Sequence, residues 1–166
     1  MLYFAYGSNM NWVQIRMRCP SAEFHSIAKL ADHRLTFTVK SKRRGCGAAD
    51  VVPERGAEVW GVVYRLDDGD ISKMDVFEDY VPGRTQNEYT RQEGLVHPQG
   101  VEEPIKVTLY LAEKERNPPL PSAEYMRLIV EGAKHWDLPP YYVKQLEQIK
   151  VGPDSVALKS WTIGKS

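Results

Sequence analysis

The stretch Glu58-Val59-Trp60-Gly61-Val62-Val63-Tyr64-Arg65-Leu66 is the strongest strand signal in the chain. Its β-branched and aromatic residues pack well on a pleated surface. Gly61 inside it predicts a bulge or the close approach of another segment. A second apolar run, residues 2–6, reads as a buried strand and is broken at once by Gly7-Ser8-Asn9. Strand patterns recur at 24–30 and 35–40, joined by Ala31-Asp32-His33-Arg34, and again at 88–96 and 105–112.

Helix signals lie between and after these runs. Asn11 reads as an N-cap, with Gln14 completing a capping box, for a short helix over 12–18 that Pro20 ends. An aspartate of 67–70 caps a helix over about 71–77. Ser122 caps a helix running to about Trp136, with Met126, Ile129, Val130 and Ala133 on one face. Pro139-Pro140 starts a last helix that carries Tyr142, Leu146 and Ile149. Residues 40–45 and 80–87 read as loops, and 113–121 as a charged, proline-rich connection. Residues 152–166 read as a tail or a final strand. Strands dominate the first two thirds and helices the last, which predicts an α+β fold built on a barrel or a strongly curled sheet. A length of 166 residues predicts one domain over 1–166.

Composition removes several function classes. Lys plus Arg and Asp plus Glu are both 22, so a zero formal charge gives no general attraction to nucleic acid or an anionic membrane. No apolar stretch approaches a membrane span, and the N-terminus lacks the pattern of a signal peptide. Cys19 and Cys46 are too few for a disulfide scaffold and lack metal spacing. These features predict an intracellular, cytoplasmic protein with reduced thiols. The histidines at 25, 33, 97 and 135 show no ligand spacing, so no metal is expected.

Two stretches can carry chemistry. In Tyr6-Gly7-Ser8-Asn9, successive N–H groups after a strand can form an anion-binding nest for a carboxylate or phosphate. The same residues also suit an ordinary strand-to-helix turn. In Asp75-Val76-Phe77-Glu78-Asp79-Tyr80, Glu78 ends a helix beside apolar neighbours. Held there without water, its pKa would rise and it would carry a proton near neutral pH. Alternatively the three acids form a solvated face. Nine tyrosines are available to fill the core or touch a ligand. The basic run 40–44 reads as an exposed hairpin loop.

Taken in order, several stretches resemble the γ-glutamylcyclotransferase family over most of 2–150. They are Tyr3-Phe4-Ala5-Tyr6-Gly7-Ser8-Asn9, Arg44-Gly45-Cys46-Gly47-Ala48-Ala49, Val59-Trp60-Gly61-Val62-Val63-Tyr64 and Met74-Asp75-x-x-Glu78. Tyr110-Leu111, Pro121-Ser122-x-x-Tyr125, Glu131-Gly132-Ala133-Lys134 and Leu138-Pro139-x-x-Tyr142 follow. The resemblance implies a small mixed β-barrel with surrounding helices, usually a homodimer, and no metal or organic cofactor. It implies cyclisation of the γ-glutamyl group of a small γ-glutamyl amide to 5-oxoproline, with release of an amine or amino acid. It places the acid/base on Glu78 and substrate binding on Tyr3, Tyr6, Gly7, Ser8, Asn9, Tyr110 and Tyr125. The chain departs from the family pattern at Asp79, where glycine is frequent, and in the longer loop over 81–87. Whether Tyr80 or Tyr89 replaces a family tyrosine stays open, as does the leaving amine. Another amide-processing reaction and a non-catalytic carboxylate-binding module are the competing readings.

Overall fold

The computed structural model describes residues 1–153. The segment read as a tail or final strand lies outside the described residues from 154 onward. Five strands alternate with helices: β1 (Leu2–Ala5), α1 (Trp12–Arg18), β2 (Glu23–Lys40), β3 (Gly47–Arg65), α2 (Asp68–Phe77), β4 (Tyr89–Pro98) and β5 (Ile105–Ala112). Two helices follow, α3 (Ala123–His135) and α4 (Pro140–Glu147). The strands close into a barrel in the order β1-β3-β2-β4-β5. β1 pairs antiparallel with β3 from Leu2 opposite Arg65 to Ala5 opposite Val62, and parallel with β5 at Tyr3 and Thr108. Closure removes the free edges that would otherwise expose unpaired backbone.

The long β2–β3 hairpin differs from expectation. Residues 24–30 and 35–40 are one strand, not two. The polar tetrapeptide between them is a bulge, with a register shift between Ala31 and His33. Asp32 takes a positive φ of 55° there, and its Oδ1 accepts from the Gly56 N–H at 2.8 Å. A bulge bends a strand and raises its twist without ending it, which suits a barrel wall. β3 likewise starts eleven residues before the predicted run and carries Pro53 and Gly56 through an exposed middle.

The strongest strand signal lies at the core. Val59, Val62, Val63 and Tyr64 are fully buried. Gly61 marks a close approach rather than a bulge: a Cβ there would lie 2.4 Å from the Ala5 carbonyl oxygen and 2.7 Å from the Phe4 ring.

Between β1 and α1 a 3-10 turn spans Ser8–Met10. α3 presses backbone to backbone on it, since a Cβ on Gly132 would lie 2.5 Å from the Met10 carbonyl carbon. Tyr64 Oη and Trp136 Nε1 both donate to the Met10 carbonyl, at 3.0 and 3.1 Å. The turn is thus clamped from two sides. Asn11 caps α1 by accepting from the Gln14 N–H at 3.1 Å, but the predicted box does not close. The Asn11 N–H is already bonded to the Ser8 carbonyl, and the Gln14 side chain turns toward the 3-10 turn instead.

Gly61→Ala forces a methyl into the β1 backbone, which cannot move without opening the barrel. The expected cost is about 3 kcal/mol, the upper end for overpacking. A urea titration should show a lower midpoint at unchanged slope. An unchanged midpoint would mean that β1 yields.

Candidate active site

Sequence-local rules build the turn, and tertiary contacts turn its side chains inward. Gly7 lets β1 end tight against β3: a Cβ on it would lie 3.1 Å from the Ala49 methyl and 3.5 Å from the Tyr125 hydroxyl. The first bond inside the turn is Met10 N–H to the Gly7 carbonyl, at 3.0 Å. The Ser8 and Asn9 N–H groups precede that bond, so the helical ladder supplies them no acceptor. The Asn9 side chain is buried and makes contacts at both ends. Its Nδ2 donates to Tyr3 Oη at 2.9 Å and to Glu78 Oε1 at 3.2 Å. Its Oδ1 accepts from Gln14 Nε2 at 3.0 Å and Arg18 Nη1 at 2.9 Å.

Glu78 is the C-cap of α2, the helix that Asp67 starts by accepting from the Asp70 N–H. Its side chain is 15% exposed. Burial lifts its pKa above the ordinary carboxylate value. Arg18, whose Nη1 lies 4.0 Å from Oε1, opposes that rise, as do the Asn9 hydrogen bond and Arg44. A second acid, Glu88, reinforces it. Among the described residues Oε2 of Glu78 makes no protein hydrogen bond.

The predicted residues Tyr3, Tyr6, Gly7, Ser8, Asn9, Glu78, Tyr110 and Tyr125 all line one pocket. Their hydroxyls differ in availability. Tyr6 donates to the Tyr110 carbonyl, and Tyr110 donates to Asp75 Oδ1 at 2.7 Å, so both are committed to the wall. The Tyr125 hydroxyl accepts from the Ala49 N–H at 3.1 Å, which leaves its own proton to donate. Burial pushes its pKa up to about 12, so it stays a neutral donor. Tyr89 lines the pocket with its hydroxyl on the Ala49 carbonyl at 2.6 Å, whereas the Tyr80 ring packs under Arg91. Of the two, Tyr89 is the one that lines the pocket.

Sequence reasoning misses three arginines of the site. Arg18 stacks on Phe77, Arg43 on the same ring and Arg44 on Tyr125, at 4.8, 5.0 and 5.0 Å. All three line the pocket. The basic run is thus a pocket rim rather than a free hairpin tip. Its one sequence signal is the position of Arg44 inside a family-like stretch. Among the described residues no group of three or more His, Cys, Asp or Glu is placed to hold a metal ion. No described helix is long and apolar enough to cross a membrane.

A closed barrel with a buried carboxylate facing a glycine turn, ringed by tyrosine and arginine, is a receptacle for a small polar molecule. The family model described as gamma-glutamyl cyclotransferase, AIG2-like, matches residues 3–127. Gamma-glutamylcyclotransferase of Mus musculus is 37% identical over 153 residues, covering 90% of this chain and 78% of that protein. That of Bos taurus is 35% identical over the same length and shares. A solved structure described as gamma-glutamyl cyclotransferase superposes with a TM-score of 0.83 at 32% identity, over 95% of this chain and 94% of that one. The chain belongs to the gamma-glutamyl cyclotransferase, AIG2-like family.

At Asp79, where the resemblance leads to an expectation of glycine, the backbone is one that glycine suits. Its φ is 51°, a left-handed conformation that glycine adopts freely. The aspartate adds a clasp: Oδ2 meets Lys42 Nζ at 2.7 Å and Oδ1 meets Arg84 Nη2 at 2.9 Å. It joins the basic rim to the 81–87 loop. Asp79→Gly should remove both ion pairs, leaving only the Arg84 bond to the carbonyl of residue 79, while relieving about 1 kcal/mol of backbone strain. Trypsin is expected to cut faster after Arg84, while Tm moves by less than about 4 °C. Unchanged cleavage would show that the clasp does not hold the loop.

Proposed function

We propose that this chain is a γ-glutamyl cyclotransferase that closes the γ-glutamyl group of a small γ-glutamyl amide to 5-oxoproline and releases the amine. The observation that carries the reading is the juxtaposition of Glu78 with the Gly7–Asn9 turn: a largely buried carboxylate that lines the pocket and whose Oε1 is held by Asn9. The Ser8 and Asn9 N–H groups and the Tyr125 hydroxyl receive the substrate α-carboxylate, and Tyr3, Tyr6 and Tyr110 form the wall. The α-ammonium is then set beside Glu78.

The chemistry needs one proton carrier. Glu78 takes a proton from the ammonium, and the freed amine attacks the γ-carbonyl. A C–N bond to the ring nitrogen forms, Glu78 returns its proton to the departing nitrogen and the bond to that nitrogen breaks. The second surplus proton on the ring nitrogen then passes through Glu78 to the released amine, which leaves as ammonium. An ordinary glutamate near ~4.3 is a weak base for an amine near ~8, a gap worth roughly 5 kcal/mol. Burial of Glu78 narrows that gap by raising the carboxyl pKa. Folding the substrate so that amine and carbonyl lie in near-attack geometry supplies several kcal/mol more. A homodimer belongs to the same reading, and sedimentation velocity decides it independently.

Incubation with a panel of γ-glutamyl amino acids and amines, with mass-spectrometric detection of 5-oxoproline, tests the reaction. Glu78→Gln should lower turnover at least about 100-fold, the lower end of general acid–base contributions, while substrate still raises Tm. Free glutamate as product would move the case to hydrolysis, and stabilisation without turnover to a binding module.

The same variant has a second readout. The folded pKa of Glu78 lies above its unfolded value, so the folded chain binds more protons between the two. Stability from this group is full below the unfolded pKa and is lost as pH rises through the folded one. Glutamine never ionises, so E78Q should have a higher Tm than the parent at neutral pH. The difference should vanish below about pH 4. A lower Tm at pH 7 would mean that Arg18 and Asn9 outweigh the burial cost.

A further inference from the structure

Asparagine amides can be set either way round, and only their partners decide which end is oxygen. At Asn9 the decision is unambiguous. Arg18 sits at the last position of α1 with its side chain 13% exposed, and its Nη1 points at Asn9 Oδ1 from 2.9 Å. A guanidinium donates and never accepts, so the atom it touches must be the oxygen. A parallel link leads to the same atom. Arg44 Nη2 donates to Gln14 Oε1 at 2.6 Å, which turns Gln14 Nε2 toward Asn9 Oδ1 and Ser8 Oγ. Both donor-only groups drive the chain of hydrogen bonds in one direction, ending at Nδ2 on Glu78 Oε1. Reversal of the Asn9 amide would set its oxygen against a carboxylate.

We propose that Arg18 is a positioning residue for the reaction: it locks the Asn9 amide so that Nδ2 holds Glu78 Oε1, leaving Oε2 aimed at the substrate ammonium. This rests on the assignment of Glu78 as proton carrier. Arg18 acts through Asn9 and through its charge 4.0 Å from the carboxylate, and it packs on Phe77, the residue before Glu78. The other groups acting on Glu78 are Arg44 from the rim, Glu88 before β4, and the buried tyrosines Tyr3, Tyr6, Tyr89, Tyr110 and Tyr125. Burial holds those tyrosines neutral, so the charges acting on the carboxylate are Arg18, Arg44 and Glu88.

The test is a pH–rate series on Arg18→Met, Arg18→Gln and Arg18→Lys with one turned-over γ-glutamyl amino acid, each variant checked for cooperative unfolding. Glu78 must be ionised to accept the ammonium proton, so loss of a cation this near should move the acid limb upward by about one pH unit. At the plateau, kcat of R18M should fall at least about tenfold while KM changes less than about threefold, the pattern of a group that acts on the chemical step. R18K keeps a donor and a charge and should recover most of kcat and the parental limb. If R18M does not fold, R18Q carries the same two expectations. An unmoved limb with kcat within about twofold of parent overturns the proposal. So does R18K failing as badly as R18M with the limb in place, which would mark a packing role alone. Parental activity in E78Q would instead sink the underlying assignment and is read separately.

Discussion

A carboxylate taken out of water must be bonded, paired or protonated, because an isolated charge in a protein interior is costly. In this chain that demand falls on Glu78, and the hydrogen bond from Asn9 answers it across sixty-nine positions of sequence. Much of the architecture serves to keep those two residues together. The barrel fixes β1, the Tyr64 and Trp136 donors and the α3 backbone clamp the turn after it, and α2 ends with Glu78 facing that turn. Arg18 reaches across from α1 to touch both partners. Displacing any of these elements by an ångström would leave the acid buried without its donor.

The same geometry shows why overall charge says little about what the pocket receives. The chain is formally neutral, yet Arg18, Arg43 and Arg44 face the pocket against Glu78 and Glu88. That local excess of one cation comes from the long β2–β3 hairpin, whose loop folds back onto the rim. Arg44 N–H bonds to Ser41 Oγ and Lys42 N–H to Glu88 Oε2, each at 3.2 Å, so the rim is built rather than loose. A receptacle of this polarity favours ligands that bring carboxylates, whatever the balance of the whole surface.

Features set by neighbours along the chain are legible in the amino-acid sequence itself. The strand ending at Gly7, the helix starts at Asn11 and Ser122, a cap among the aspartates of 67–70, and β5 follow from local chemistry, whereas Gly61 reads from sequence as either a bulge or a close approach. Strand count narrows the sheet to a barrel or a curled sheet, and family resemblance selects the barrel. Sequence reasoning errs where a polar segment has a distant partner. Asp32 resembles a turn residue until Gly56 is seen opposite it, and Gln14 resembles half of a capping box until Arg44 claims its oxygen. The arginines of the pocket are illegible for the same reason: nothing near Arg18 in sequence announces Asn9 and Glu78 as its partners. The site residues taken from the resemblance do come together in one pocket, but which of their polar groups are already bonded is visible only in the structure.

Two acids line that pocket, Glu88 buried and Glu78 largely so, and the proposal of Glu78 as proton carrier rests on what each is bonded to. Glu88 also has its pKa raised by burial, but its Oε2 holds the Lys42 N–H and so ties the rim to the start of β4. Protonating it would weaken the loop that shapes the site. Glu78 is held through one oxygen by a neutral amide, and its other oxygen makes no hydrogen bond to the described residues. The two acids are also linked, because the charge on Glu88 helps to raise the pKa of Glu78. On the proposed mechanism Glu88 therefore exchanges no proton itself: its carboxylate braces the rim and, through space, raises the pKa of the proposed base.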